Sequence, residues 1–199
     1  MGTLSFYARP RTIHWDIYGF PHGFVPKPWG ALISPLATTF TFILLLFCRA
    51  ILSPKGYEID RFARAYITCS TATIGFLFYV NLVMNFPAIG IRIDVVRFIF
   101  VGVGIYFVVF GNYMGKATKN WFFGIRTPWA LSNDEVWLRT QRLAGKLFVL
   151  CGLAIFLLAF LNPTLRLALF FVVIVSGAAI PFFYSYILYR RIESGNKQP

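Results

Sequence analysis

A chain of 199 residues with 58% apolar and only 13% charged side chains, at a mean hydropathy of +0.67, carries more apolar surface than one soluble core can cover. Its net charge of +12 comes from 19 Lys and Arg against 7 Asp and Glu. This composition excludes an ordinary soluble domain, makes the lipid bilayer the solvent, and leaves few titratable groups for catalysis.

Residues 1–30 read as an extracytoplasmic tail and cap. The first ten residues include Arg9 and Pro10 and lack the apolar core of a cleavable signal peptide. Between Tyr18 and Trp29, glycines, prolines and aromatics alternate, which suits an ordered cap with its rings at headgroup level. His14, Asp16 and His22 fall in this region, but their spacing is not that of a zinc site. They read as residues that shape a turn-rich loop, and the chain calls for no metal and no cofactor.

A hydrocarbon layer about 30 Å thick takes roughly 20 apolar helical residues to cross. Five runs answer to that description, at about Ala31 to Leu52, Ala65 to Phe86, Phe98 to Met114, Leu147 to Leu161 and Leu167 to Tyr189. The fourth is short, so it must recruit Leu143 to Lys146 with Lys146 snorkelling, or thin the bilayer locally. Pro181 lies inside the fifth and predicts a kink near Gly177. Gly102 and Gly104, with Gly177 and Ala178, read as close-packing surfaces between helices. The chain thus divides into a three-span membrane region at 31–114, a cytoplasmic motif loop and amphipathic helix at 115–146, a two-span region at 147–189 and a cytoplasmic tail at 190–199. The fold class is an all-α integral membrane protein with five transmembrane helices.

Orientation follows from Lys and Arg in alternate loops. Thirteen, from Arg49 to Arg64, Lys116 to Lys146 and Arg190 to Lys197, fall on one side, and six (Arg9, Arg11, Lys27, Arg92, Arg97 and Arg166) on the other. The heavier side is placed in the cytoplasm together with the C-terminus, in the inner (cytoplasmic) membrane. The positive charge then reflects topology and anionic lipid, and the scattered basic residues form no nucleic-acid-binding module. Cys48, Cys69 and Cys151 all fall within spans and form no Cys-x-x-Cys pair, so they read as buried thiols.

Every acid lies in a loop or tail, and no nucleophile with a base in reach is visible. The reading is therefore non-enzymatic, and the absence of charge in mid-span also disfavours an ion pathway. The informative stretch is the central loop, which runs from Gly111-Asn112 through Asn120, Trp121, Phe122, Phe123, Gly124, Arg126, Thr127, Pro128 and Trp129 to Trp137. Ser132 and Glu135 have capping-box spacing, which predicts a helix start at Ser132. From there Val136, Trp137, Thr140, Leu143, Ala144 and Leu147 form one face and Arg139, Arg142 and Lys146 another. This predicts a basic amphipathic interfacial helix leading into the fourth span. Arg126, among aromatics and beside a rigid Thr-Pro step, is either a stacked anchor or an anion-recognition group.

At this loop the chain resembles the SdpI family of bacterial membrane immunity proteins. The resemblance rests on Gly111-Asn-Tyr-Met114, on Asn120-x-Phe-Phe-Gly-Ile-Arg-Thr-Pro-Trp129, and on Leu131-Ser-Asn-x-Glu-Val-Trp137 with Thr140, Arg142, Leu143 and Gly145-Lys146. His14-Trp15-Asp-Ile-Tyr-Gly19 resembles a segment that commonly precedes this motif, and Pro181-Phe-Phe-Tyr-Ser-Tyr186 is similar to the family's ending. The resemblance implies a cytoplasmic-membrane protein, usually of six spans, that protects its producer from a secreted peptide toxin. It also implies a possible second partner, a transcriptional repressor held at the cytoplasmic face. The family's first span precedes the His-Trp segment, so Leu4 to Tyr7 are expected to be the stub of a sixth helix and the native start to lie upstream of Met1. The residues expected to carry partner binding or signalling are Asn112, Asn120, Gly124, Arg126, Thr127, Pro128, Trp129 and Trp137, with His14, Trp15 and Gly19 in the extracytoplasmic cap. The alternative reading, from another functional class, is a small non-ATP membrane transporter or flippase.

Overall fold

In lipid the backbone has no water to bond, so long apolar runs close their hydrogen bonds internally as helices. The computed structural model describes residues 11–26, 28–52, 59–116, 118–120 and 124–195. In chain order these form β1 (Arg11–Trp15), β2 (Pro21–Val25), α1 (Trp29–Leu52), α2 (Ile59–Asn85), a 3-10 turn at Pro87–Ile89, α3 (Val95–Met114), α4 (Pro128–Ser132), α5 (Asp134–Leu158) and α6 (Pro163–Gly195). The expected helix stub at Leu4 to Tyr7, and Trp121, Phe122 and Phe123, lie outside the described residues.

Four helical stretches among the described residues are long and apolar enough to cross a membrane: Ala65–Asn85, Val95–Met114, Asp134–Leu158 and Pro163–Gly195. The first expected span is present as α1, whose described apolar stretch is the shorter Leu32–Phe47. Large apolar side chains point outward along these helices; Phe40 is 68% exposed and Leu157 65%. Such surfaces are compatible with a hydrocarbon surround and not with water.

The closest helix pair is α3 with α5, and glycine makes it possible. A Cβ on Gly104 would lie 2.8 Å from the Gly152 carbonyl oxygen, and one on Gly145 would lie 2.7 Å from that of Gly111. The two glycines of each helix are two turns apart, so both pairs fall on one seam. Packing at Gly102 and Gly104 matches the sequence expectation, with Gly102 under the Tyr79 ring. Gly177 packs on the Cys151 sulfur, whereas Ala178 faces outward. On the other flank, α2 meets α3 through a stacked Phe76–Tyr106 pair at 5.0 Å and a Thr73 Oγ1–Tyr106 hydroxyl bond of 3.1 Å. Helix α1 is tied to α2 by the Tyr66 hydroxyl, which donates to the Leu45 carbonyl.

Two expectations need correction. The fold is not purely helical: the cap is an antiparallel hairpin, with Thr12 opposite Phe24 and His14 opposite Gly23. Its turn is held by Asp16, whose carboxylate accepts from the Tyr18 and Phe20 amides at 3.0 and 2.8 Å, with Gly19 at φ +87°. The helix expected to start at Ser132 is capped instead by Asn133, whose side chain accepts from the Glu135 and Val136 amides at 2.9 and 3.1 Å. Ser132 ends α4 and donates to the Trp129 carbonyl. The amphipathic segment leads without a break into the fourth span, as α5 runs from Asp134 to Leu158. Gly145, the one weak helix former in the join, sits in the close seam with Gly111. The two faces are as expected: Val136, Trp137, Thr140 and Ala144 are buried, and Arg139, Arg142 and Lys146 are exposed.

Candidate functional site

The site is built on the segment between α3 and α5, and its geometry starts at Thr127-Pro128. Threonine before proline suits a helix start: the hydroxyl caps, and proline at the first helical position lacks an N–H that would have had no partner. Thr127 is extended at φ −70°, ψ 151°, and its Oγ1 accepts from the Ala130 amide at 3.3 Å, so α4 begins at Pro128. This five-residue helix turns Trp129 toward α6.

Ser185 of α6 receives it. The Ser185 hydroxyl donates to the Phe182 carbonyl at 2.7 Å, which leaves its oxygen to accept. Trp129 Nε1–H donates to that oxygen, and Thr127 Oγ1 lies 3.1 Å from it with its own proton to give. The Trp129 ring meets Phe182 and Tyr186 edge-on at 5.6 and 5.3 Å. Beneath it, Ala130, Val136, Trp137 and Leu188 form a buried cluster that joins α4, α5 and α6.

A second anchor holds the other side of the loop. Gln141 of α5 is fully buried; its Oε1 accepts from the Ile125 amide at 3.0 Å and its Nε2 donates to the Ile125 carbonyl at 2.9 Å. One side chain thus satisfies both backbone groups of Ile125, as a neighbouring strand would. Gly124 makes this approach possible, since its φ is +106° and a Cβ there would lie 2.5 Å from Gln141 Oε1.

Arg126 is therefore flanked by two fixed neighbours: Ile125 clamped by Gln141 and Thr127 tied to Ser185. Arg126 itself is exposed. Of the other expected site residues, Asn120 is buried with Nδ2 donating to the Thr118 carbonyl at 2.8 Å. Pro128 is exposed at the start of α4, Trp137 is buried beneath it, and Asn112 is exposed on α3. Around them Lys119 pairs with Asp134 at 2.9 Å and Arg139 with Glu135. His14, Trp15 and Gly19 are not part of this constellation. They belong to the hairpin, whose turn abuts Asp94 at the start of α3, while the loop leaves the end of the same helix.

Gln141 and Ser185 carry the geometry, yet the reading of the sequence gave neither a role. For Gln141 the signal is a lone amide beside the apolar face of Trp137, Thr140 and Ala144. Ser185 stands within the quoted Pro181 to Tyr186 ending, but nothing local shows which loop it meets.

Residues 116–185 match the SdpI/YfhL protein family. The chain is related to the SdpI family. The matched segment opens at the loop and closes at Ser185, so it spans both halves of the hydrogen-bonded site. Over 173 residues the chain is 26% identical to the Immunity protein SdpI of Bacillus subtilis (strain 168), covering 87% of this chain and 81% of that protein. No solved structure matches it. With four membrane-length apolar helices, this SdpI relative is a multi-pass membrane protein.

Proposed function

We propose that this protein is a cytoplasmic-membrane immunity protein that protects its producer against a secreted peptide toxin. In this reading α1 is a fifth span, and the thirteen-to-six division of Lys and Arg places the Arg126 loop and the C-terminus in the cytoplasm. The loop also signals, by holding a transcriptional repressor at the inner face.

The observation that supports a role for the loop beyond folding is the display of Arg126. A group that only anchored a loop would be the residue buried in it, and here the burying is done by Gln141, Thr127 and Trp137 on either side. Arg126 stays at the surface, where the planar fork of its guanidinium suits a carboxylate or carbonyl of a partner. Arg126→Lys keeps the charge and loses the fork.

Both Arg126→Lys and Arg126→Ala are expected to accumulate normally in the membrane and to lose protection or repressor retention. Membrane level and survival under toxin, measured in the same cells, test this. If both variants lose abundance in step with activity, Arg126 is an anchor; full survival of Arg126→Ala removes it from the function.

A further inference from the structure

At the opposite end of the bundle from the Arg126 loop, Arg166 lies in the first turn of α6 and is 3% exposed. Its Nη2 donates to the Leu161 carbonyl at 3.1 Å, and its guanidinium carbon sits 5.6 Å from the centre of the Phe100 ring. Its Nε is buried without a hydrogen-bond partner among the described residues. The carboxylate facing it is Asp94, with Oδ2 3.8 Å from Nη2, beyond hydrogen-bond length. That carboxylate is already engaged: Oδ1 accepts from the Arg97 amide at 2.9 Å to cap α3, and Oδ2 lies 3.4 Å from Arg97 Nε. Arg92, two residues before Asp94, is exposed.

Two guanidiniums thus share one carboxylate, and the buried one has the poorer share. A guanidinium taken out of water needs an opposite charge and partners for its N–H groups, and a neutral carbonyl with a ring face supplies little of the former. Asp94 is one-third exposed and Arg97 about half exposed, so the cluster opens to solvent on the Arg97 side. The hairpin turn borders it, with Gly19 placed so that a Cβ would lie 3.6 Å from Asp94 Oδ1.

We infer that Arg166 and Arg97 form a binding site for a small oxyanion, a carboxylate or phosphate group, at this end of the bundle. Arg97 meets the oxyanion first, and Arg166 supplies the deep donor through the Nε–H that has no partner among the described residues. The inference stands apart from the immunity reading, because it rests on charge and geometry alone. A lipid headgroup and a free anion present the same chemistry.

The test uses the purified full chain in a phosphate-free maltoside detergent, following the thermal unfolding midpoint as inorganic phosphate replaces chloride at constant ionic strength. Phosphate is expected to raise the midpoint in a saturable way. Arg97→Gln, at the exposed edge and outside the core, should fold and need roughly tenfold more phosphate for the same shift, the effect of one lost charge-assisted contact. Arg166→Gln should abolish the shift, and Arg190→Gln, at an exposed position near the far end of α6, should leave it intact. A phosphate effect seen in detergent but lost in phospholipid nanodiscs makes a headgroup the occupant; an effect kept in both makes it a soluble anion. No saturable shift in the unaltered protein, or an equal shift in Arg97→Gln and Arg166→Gln, overturns the site.

Discussion

Replacing Gln141 with leucine isolates the clamp on the loop, because the two side chains are close in volume and only the polar groups are lost. The bonds removed are Ile125 N–H to Oε1 at 3.0 Å and Nε2–H to the Ile125 carbonyl at 2.9 Å. At about 1 kcal/mol net for each, loop opening becomes easier by about 2 kcal/mol, with more if the Ile125 groups stay buried and unpaired. Two kcal/mol is roughly a 30-fold change in an opening equilibrium. Hydrogen exchange of the Ile125 amide in nanodiscs should therefore accelerate by roughly 30-fold, while amides in the middle of α3 keep their rates. Gln141→Glu keeps an acceptor for the Ile125 amide, loses the donor to its carbonyl and buries a charge, so it should open the loop at least as far. Unchanged exchange at Ile125 in Gln141→Leu would refute the clamp, and with it the argument that Arg126 is held by its neighbours.

Gly152→Val should sharply lower membrane abundance, since a Cβ there would lie 2.6 Å from the Gly104 carbonyl oxygen, while Gly75→Ala, with nothing within 4 Å, should accumulate normally in the same immunoblot. Asn133→Ala removes the cap of α5 and should cost about 1 kcal/mol, read as a lower unfolding midpoint in detergent; an unchanged midpoint would return the cap to Ser132. For topology, a cysteine replacing His14 should react with an impermeant thiol reagent in intact cells and one replacing Ser194 should not. The reverse pattern would put the Arg126 loop outside.

How much was legible varies with the range of the interaction involved. Apolar runs located each long helix but not all of its ends, since α5 begins at Asp134, well before the run expected from Leu147; in lipid a helix is the local solution to a local constraint, and the run marks only its apolar part. The faces of α5 were equally legible, since Trp137, Thr140 and Ala144 recur at helical spacing. The hairpin was missed although its turn chemistry was visible: Asp16 three residues before Gly19 is a side-chain-held turn, but the flanking Thr12 to Trp15 and Pro21 to Val25 lack clean alternation. The start of α5 went wrong by one residue because Ser132 and Asn133 are both good caps, and α4 ends where it does because Ser132 turns back to Trp129.

The site itself shows where local reading ends. Thr127-Pro128 is a helix start that sequence can supply, and Gly124 is a residue that tolerates a left-handed backbone, but neither says that Gln141 sits 16 residues on against Ile125 or that Ser185 closes the loop from 58 residues away. Those contacts depend on the order of α3, α5 and α6 around the glycine seam, which brings Gly111 to Gly145 and so sets the end of α3 beside the first turns of α5. A polar side chain on a buried helix face is the trace such contacts leave in a sequence. Gln141 between Thr140 and Arg142, Ser185 after Pro181, and Arg166 at the head of α6 each require a partner that the surrounding apolar residues do not provide. For Gln141 and Ser185 the structure supplies that partner within the chain. For Arg166 the described residues supply only part of one, and an Nε unpartnered among them marks this position as the place to look for a ligand.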